Sequence, residues 1–345
     1  MNVDPWQHEC DVALGAVREA AILARDIRKQ IGKEALLKAD RSPVTVADFA
    51  VQAIVARRLG DAFPGDPVVA EEDSASLRTP QERSTLASVV NAVQRVVPGV
   101  DQDDVLAAID RGTGSPSERF WTLDPVDGTQ GFVRGDQYVV ALALIVRGRV
   151  KIGMLGCPRL ALSPAGFRAP ADDRQRNGGS LVFAVRNQGA FRSPLAGGEF
   201  TRLHVSSRSE PRLARVLRSV ERDHIDLAAF NEIFRTLAVE VPPVLMDSQA
   251  KHAVIAAGEA DLLLRLPARS DFRDKIWDQA AGAIIVEEAG GRVTDVRGAD
   301  LDFGVGRTLL SNEGCVASNG HVHTPVIEAL RRLDSRRKHP GEMTP

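Results

Sequence analysis

A short apolar run that ends in two aspartates constrains this chain more than any other feature. Residues 120–132 read Phe-Trp-Thr-Leu-Asp-Pro-Val-Asp-Gly-Thr-Gln-Gly-Phe. The apolar lead-in predicts the end of a buried strand, stopped at Asp124-Pro125 because proline has no N–H for the ladder. Asp124 and Asp127 then stand three positions apart across a proline turn, followed by Gly128 and Thr129. Two carboxylates buried together repel, and one must take up a proton unless a cation compensates them. Mg²⁺ prefers carboxylate, carbonyl and water oxygens. Asp124, the Val126 carbonyl and Asp127 therefore form a candidate metal-binding turn. An ordinary Asp-Pro/Asp-Gly surface turn accounts for the same residues equally well at this level. The spacing does separate the turn from haloacid-dehalogenase-type phosphatases, whose aspartates lie at i and i+2. A water nucleophile fits it better than a phospho-aspartate.

At 345 residues the chain is long enough for two domains or one large layered one. Its formal charge is −2, with acids and bases mixed along its length, so nothing marks a nucleic-acid surface or a membrane patch. Cys10, Cys157 and Cys315 are scattered and lack metal-ligand spacing, as in a reduced intracellular protein without a disulfide framework. The longest apolar run, residues 139–146, is too short to span a bilayer, and the first twenty residues carry acids and no secretory h-region.

Helical periodicity predicts an amphipathic helix over residues 5–31, ended by Gly32. Ser42-Pro43 predicts an extended turn, with Thr45 capping a second helix that carries Asp48 and Gln52. Residues 68–73 read as a short strand running into Glu71, Glu72 and Asp73. Residues 80–110 predict a helical excursion broken at Pro98-Gly99. Residues 138–155 predict a hairpin turning at 147–149, followed by a loop over 161–180. Residues 181–192 predict another hairpin. A strand over 201–205 and a helix near 209–219 follow. Residues 244–258 begin as a strand and become a helix, and 261–266 are strand-like. Residues 277–291 predict a helix with Asp278 in its first turn and glycines at its end. Asp48 and Asp278 are both explained by acids favouring helix N-termini. A strand end rich in acids, such as 71–73, can equally aim them into a shared crevice.

Taken together, Glu71-Glu72-Asp73, Asp124-Pro125-Val126-Asp127-Gly128-Thr129 and Trp277-Asp278-Gln279-Ala280-Ala281-Gly282 resemble, in order, three signatures of the inositol monophosphatase superfamily, lithium-sensitive Mg²⁺-dependent phosphomonoesterases. Ser42 to Asp48, Thr129 to Tyr138, Asp247 to Lys251 and Lys275 to Asp278 resemble its 3'(2'),5'-bisphosphate nucleotidase branch, and residues 103–114 resemble the plant and yeast type. The resemblance covers residues 8–330. Gln130 departs from it, since the branch more often carries lysine there.

The resemblance implies an α+β or α/β fold, a five-layer αβαβα sandwich of the inositol monophosphatase and fructose-1,6-bisphosphatase type. It divides the chain into an N-terminal α+β metal-binding domain (1–160) and a C-terminal α/β substrate-binding domain (161–340). Glu71, Asp124, the Val126 carbonyl, Asp127 and Asp278 would hold two or three Mg²⁺ ions, while Asp48 and Thr129 would orient and deprotonate the attacking water. Gly128, Thr129, His224, Ser248, Lys251, Arg265 and Asp278 would contact substrate. The implied reaction removes the 3'-phosphate of adenosine 3',5'-bisphosphate, and 3'-phosphoadenylyl sulfate would also be accepted. The alternatives are an inositol polyphosphate 1-phosphatase or inositol monophosphatase and, from another class, a nucleotide sensor without turnover. The expectation is a cytoplasmic monomer, or an organellar one had a transit peptide been removed, whose partner is a small molecule and neither a nucleic acid nor a membrane.

Overall fold

The computed structural model describes residues 5–30, 42–162, 178–220, 225–269 and 271–338. Helix α1 (Gln7–Gln30) buries a stripe that includes Ala13, Val17, Ala20, Ala24 and Ile27. Helix α2 (Ser42–Ala62) packs against α1, and against α3 (Arg83–Gln94) and α4 (Gln102–Asp110). It buries Phe49, Val51, Ile54 and Val55, because neighbours cover it on several sides. Its start differs from the expected one. Ser42 and Pro43 are already helical, so Thr45 lies inside the first turn and not at the position before it. Proline is at home in that turn, where its missing N–H would have no partner anyway.

Among the described residues the strands form two sheets. The larger runs in chain order: β1 (Val68–Ala70), β2 (Arg119–Asp127), β3 (Val139–Val146), β4 (Arg149–Cys157), β5 (Ser180–Val185), β6 (Gly189–Pro194) and β7 (Thr201–Leu203). Within this sheet only the β1–β2 pair is parallel. The β3–β4 loop holds Arg147 and Gly148 at φ 52° and 70°, the left-handed pair that a tight hairpin requires. The smaller sheet has the order β11-β12-β10-β8-β9, built from β8 (Val216–Arg218), β9 (Val244–Leu245), β10 (Leu262–Arg265), β11 (Arg292–Thr294) and β12 (Cys315–Ser318).

Strand β3 is apolar throughout because both of its faces are covered. Val140, Leu142 and Leu144 pack with α1 and α2. Val139, Ala141, Ala143 and Ile145 pack with α7 (Ala250–Ala256) and α8 (Ala280–Glu288). The smaller sheet covers the other side of those two helices through Leu217, Leu263 and Ala317. Its outer face, with Val216, Leu262 and Leu264, packs on α6 (Leu227–Thr236) and α9 (His323–Lys338). The result is five layers, helix–sheet–helix–sheet–helix. At the centre, α1 and α8 press on opposite faces of β4 at two glycines. A Cβ on Gly156 would meet Val17 and Ala21, and one on Gly153 would lie 2.3 Å from Ile284.

Two further expectations change. The large sheet continues past residue 160, since β5 to β7 extend it beyond β4, and the chain changes sheet between Leu203 and Val216. The helix expected near 209–219 is a single turn at Pro211–Leu213 followed by β8, because Val216 and Leu217 are buried between two sheet neighbours.

Candidate active site

The two aspartates of the central stretch share one face of the sheet because the strand carries an extra residue. β2 does not stop at Asp124. Pairing with β3 shifts register between Asp124, opposite Ala141, and Asp127, opposite Val139. Three steps on β2 therefore match two on β3, which is a β-bulge, one of the few places a strand admits proline. Without the bulge, residues three apart would point to opposite faces. With it, Asp124 and Asp127 lie on the side of Ala141 and Val139, toward the layer of α7 and α8.

Beside them, β1 pairs in parallel register, Ala70 with Leu123, so the chain leaves β1 at Glu71 next to Asp124. Gln52, fully buried on α2, fixes this exit. Its amide donates to the Glu72 carbonyl at 2.6 Å and the Ile109 carbonyl at 2.9 Å, and its oxygen accepts the Glu72 N–H at 3.0 Å. Asp48 stands one helical turn before Gln52, only 8 % exposed.

The other side of the crevice comes from the second half of the chain. Gly128, just ahead of the short helix α5 (Thr129–Arg134), adopts φ 91°, and a Cβ there would lie 2.8 Å from Ser248 Cβ. This is a close approach that only glycine allows. Ser248 is itself left-handed at φ 65°, two residues ahead of α7. The Gln249 backbone N–H donates to Asp127 Oδ2 at 2.5 Å. Its side-chain amide donates to the Trp277 carbonyl and accepts from the Gly282 N–H, both at 2.9 Å. Asp278 belongs to a single turn, Ile276–Asp278, just ahead of α8, and accepts the Lys275 N–H at 2.9 Å. Arg265, at the end of β10, is paired with Asp274 at 2.7 Å. Lys251 is buried, with Nζ donating to the Met246 carbonyl at 3.1 Å.

These acids act on one another. Asp124 is 3 % exposed, and its Oδ1 is buried without a hydrogen-bond partner. Burial first, then Asp127, Glu71, Asp278 and Asp48, push its carboxyl well above the usual range. Asp48 is raised well above it by burial, Glu72 and Glu71. Asp278 is pushed up to about 7 by burial and Asp274 against the pull of Arg265. Glu72 reaches about 7 through burial, Glu71 and Asp73. Glu71 is exposed as a whole residue, yet burial of its carboxyl and the charge of Asp127 still raise it. Asp127 is raised by burial, opposed by the Gln249 amide, Lys251 and Arg265. Burial brings Lys251 down to about 8, with Asp127 working against it.

A cluster of acids with an orphaned buried oxygen fits a hard divalent cation, which would supply the missing partner and remove the repulsion. Glu71, Asp124, Asp127 and Asp278 are the residues that could hold it. Among the described residues no three such groups stand close enough together to grip an ion as they are.

The carboxylates expected from the sequence are thus brought together. Gly128, Thr129, Ser248, Lys251, Arg265 and Asp278 line one cavity of about 300 Å³ with Asp127. His224 lies outside the described residues. Among those described, no hydrogen bond joins Asp48 to Thr129, whose hydroxyl donates to the Val126 carbonyl at 3.5 Å. Sequence reasoning missed Gln249 and Gln52, whose positions in predicted helices gave only a weak sign of their contacts across the fold. It also missed Phe272, 41 % exposed on the cavity lining, with Arg265 5.9 Å from its ring.

The acid cluster thus stands between two stacked sheets, beside a cavity that a lysine and an arginine also line. The chain belongs to the inositol monophosphatase family, whose model matches residues 6–335. It is 39 % identical over 350 residues to a 3'(2'),5'-bisphosphate nucleotidase of Schizosaccharomyces pombe, covering 96 % of this chain and 97 % of that one. It is 38 % identical over 366 residues to a 3',5'-bisphosphate nucleotidase of Arabidopsis thaliana, covering 96 % and 98 %. The fold is shared with an inositol monophosphatase of Anabaena, with TM-score 0.59, 20 % identity and coverage of 95 % and 97 %. An inositol monophosphatase of Staphylococcus aureus superposes at TM-score 0.61 with 16 % identity, over 96 % and 98 %.

Proposed function

We propose that the protein is a Mg²⁺-dependent 3'(2'),5'-bisphosphate nucleotidase that converts adenosine 3',5'-bisphosphate to AMP and phosphate and also accepts 3'-phosphoadenylyl sulfate. The observation that carries this reading is the meeting of Asp127 and Asp278, two members of the acid cluster, with Lys251 and Arg265 in one cavity. The names of the full-length relatives from yeast and plant support it. Bound Mg²⁺ would neutralise the carboxylates and the charge on the transferred phosphoryl group.

The protein's own groups do the rest. Asp48, held above the ordinary carboxylate range by burial and by Glu72 and Glu71, is the group that would take a proton from the attacking water. The Thr129 hydroxyl stands at the cavity wall, where it can orient that water. Lys251 and Arg265 meet the phosphate that does not react. The exposed ring of Phe272 offers a flat apolar surface to a base.

Phosphate release from adenosine 3',5'-bisphosphate, 3'-phosphoadenylyl sulfate, inositol 1-phosphate and inositol 1,4-bisphosphate, with and without Mg²⁺, tests the reading. Preference for the nucleotides in Mg²⁺ alone supports it. Preference for an inositol phosphate replaces it with the inositol reading, and nucleotide binding without turnover replaces it with a sensor.

A further inference from the structure

Glu71 and Asp278 belong to segments 207 positions apart in the chain, and one arginine outside the cavity touches both segments. Arg307 Nη2 donates to the Ala70 carbonyl at 2.5 Å, in the peptide unit that leads into Glu71. Its Nη1 donates to the Gly114 carbonyl at 3.2 Å, in the segment running along the free edge of β1, where Gly114 N donates to Val68 O and Ala70 N to Gly112 O. The guanidinium carbon lies 4.9 Å from the Trp277 ring centroid, one residue before Asp278. The same loop holds the Asp278 turn through its backbone. Ile276 N donates to the Arg307 carbonyl at 3.1 Å, and Leu309 N donates to the Asp274 carbonyl at 2.9 Å.

We propose that Arg307 is a positioning residue that sets the separation of Glu71 and Asp278 and thereby the affinity of the site for divalent cations. The proposal rests on the reading of these carboxylates as cation ligands. A planar guanidinium is suited to the task, since it donates to two carbonyls in its plane while its face stacks on an indole. Lysine could reach one carbonyl but neither fork nor stack in this way. Among the described residues Arg307 makes no contact with a carboxylate and does not line the cavity, so its effect on the cation would pass through the backbone it holds.

Mn²⁺ binding to the metal-free protein, followed by the electron paramagnetic resonance signal of the free ion, tests this without turnover. Wild type, Arg307→Lys, Arg307→Met and Asp127→Asn are titrated, and each is also melted thermally in EDTA. The expected result is a weakening of Mn²⁺ binding by about 10- to 100-fold in Arg307→Met, the range seen for groups that orient metal ligands. Arg307→Lys should fall between it and wild type. If Arg307→Met does not fold, Arg307→Lys alone decides, by a weakened Mn²⁺ Kd in a variant that still melts cooperatively. Lowered melting temperatures with unchanged Mn²⁺ affinity would make Arg307 a purely structural residue and overturn the proposal. Wild type without Mn²⁺ binding, or Asp127→Asn binding as tightly as wild type, would instead remove the cation reading on which it rests.

Discussion

The backbone N–H of Gln249 donates to Asp127 Oδ2 at 2.5 Å, joining the bulged strand of the large sheet to the segment that opens α7. Because the Gln249 side chain also holds the Trp277 carbonyl and the Gly282 N–H, one residue ties together three parts of the site. Gln249 is 2 % exposed, so Gln249→Leu would leave both backbone groups buried without partners. Each such loss costs about 1–3 kcal/mol. Urea denaturation should show a destabilisation on the order of 2 kcal/mol or more, accompanied by reduced kcat. Unchanged stability would mean that these contacts are not kept in solution.

Asp127→Asn keeps an oxygen to accept the Gln249 N–H and removes one negative charge from the crevice. Turnover should fall by more than the roughly 100-fold upper range for residues that only orient ligands, with a circular dichroism spectrum like that of wild type. Near-normal kcat at saturating Mg²⁺ would exclude Asp127 as a ligand.

Without a cation, the raised acids should make stability depend on pH in an unusual direction. Asp278 titrates near 7 in the folded protein against an ordinary 3.8. Between those values the folded form keeps a proton that the unfolded chain has released, so stability falls as pH rises. His252 and His323, held at about 3 and about 4 by burial, act in the opposite sense below 6.5, so the comparison must cancel them. In EDTA, Asp278→Asn should therefore melt higher than wild type, by a margin that grows from pH 5 to pH 8. A margin that stays constant or shrinks would contradict the raised value.

The stretch at residues 120–132 told of the site before the fold was known, because two acids at a strand end need a compensating charge wherever they are buried. It did not tell that the strand runs on through Pro125, since a bulge depends on the partner strand, and β3 lies in a later segment. Asp48 read as a helix-dipole acid because its neighbours Glu71 and Glu72 reach it only once Gln52, one turn further along the same helix, holds the end of β1. Val216 and Leu217 read as helical because so short an apolar run has no period of its own. The helices of the middle layer were easier to see. Glycines packed against neighbouring elements, as at Gly282 against His252, left a trace in the composition of residues 277–291.

In the proposed reading Lys251 and Arg265 meet the phosphate that does not react, and their surroundings differ in a way that pH can separate. Arg265 is fixed by Asp274 at 2.7 Å; burial pulls its pKa down, but Asp274 and Asp278 outweigh this and raise it, so it stays charged. Lys251 is buried and titrates near 8, chiefly because burial disfavours its charge. A phosphate contact to either cation is charge-assisted, and its loss costs about 1.5–3 kcal/mol, or roughly 10- to 150-fold in binding. Lys251→Ala and Arg265→Ala should each raise KM for adenosine 3',5'-bisphosphate by that order while changing hydrolysis of inositol 1,4-bisphosphate much less. In wild type, KM for the nucleotide should also rise as pH passes through about 8 and Lys251 loses its proton. Arg265→Ala should keep that rise, and Lys251→Ala should lose it. Steady-state kinetics from pH 6.5 to 9 read both effects at once. Equal changes for the two substrates, or a rise that survives in Lys251→Ala, would place the recognition of the second phosphate elsewhere in the cavity.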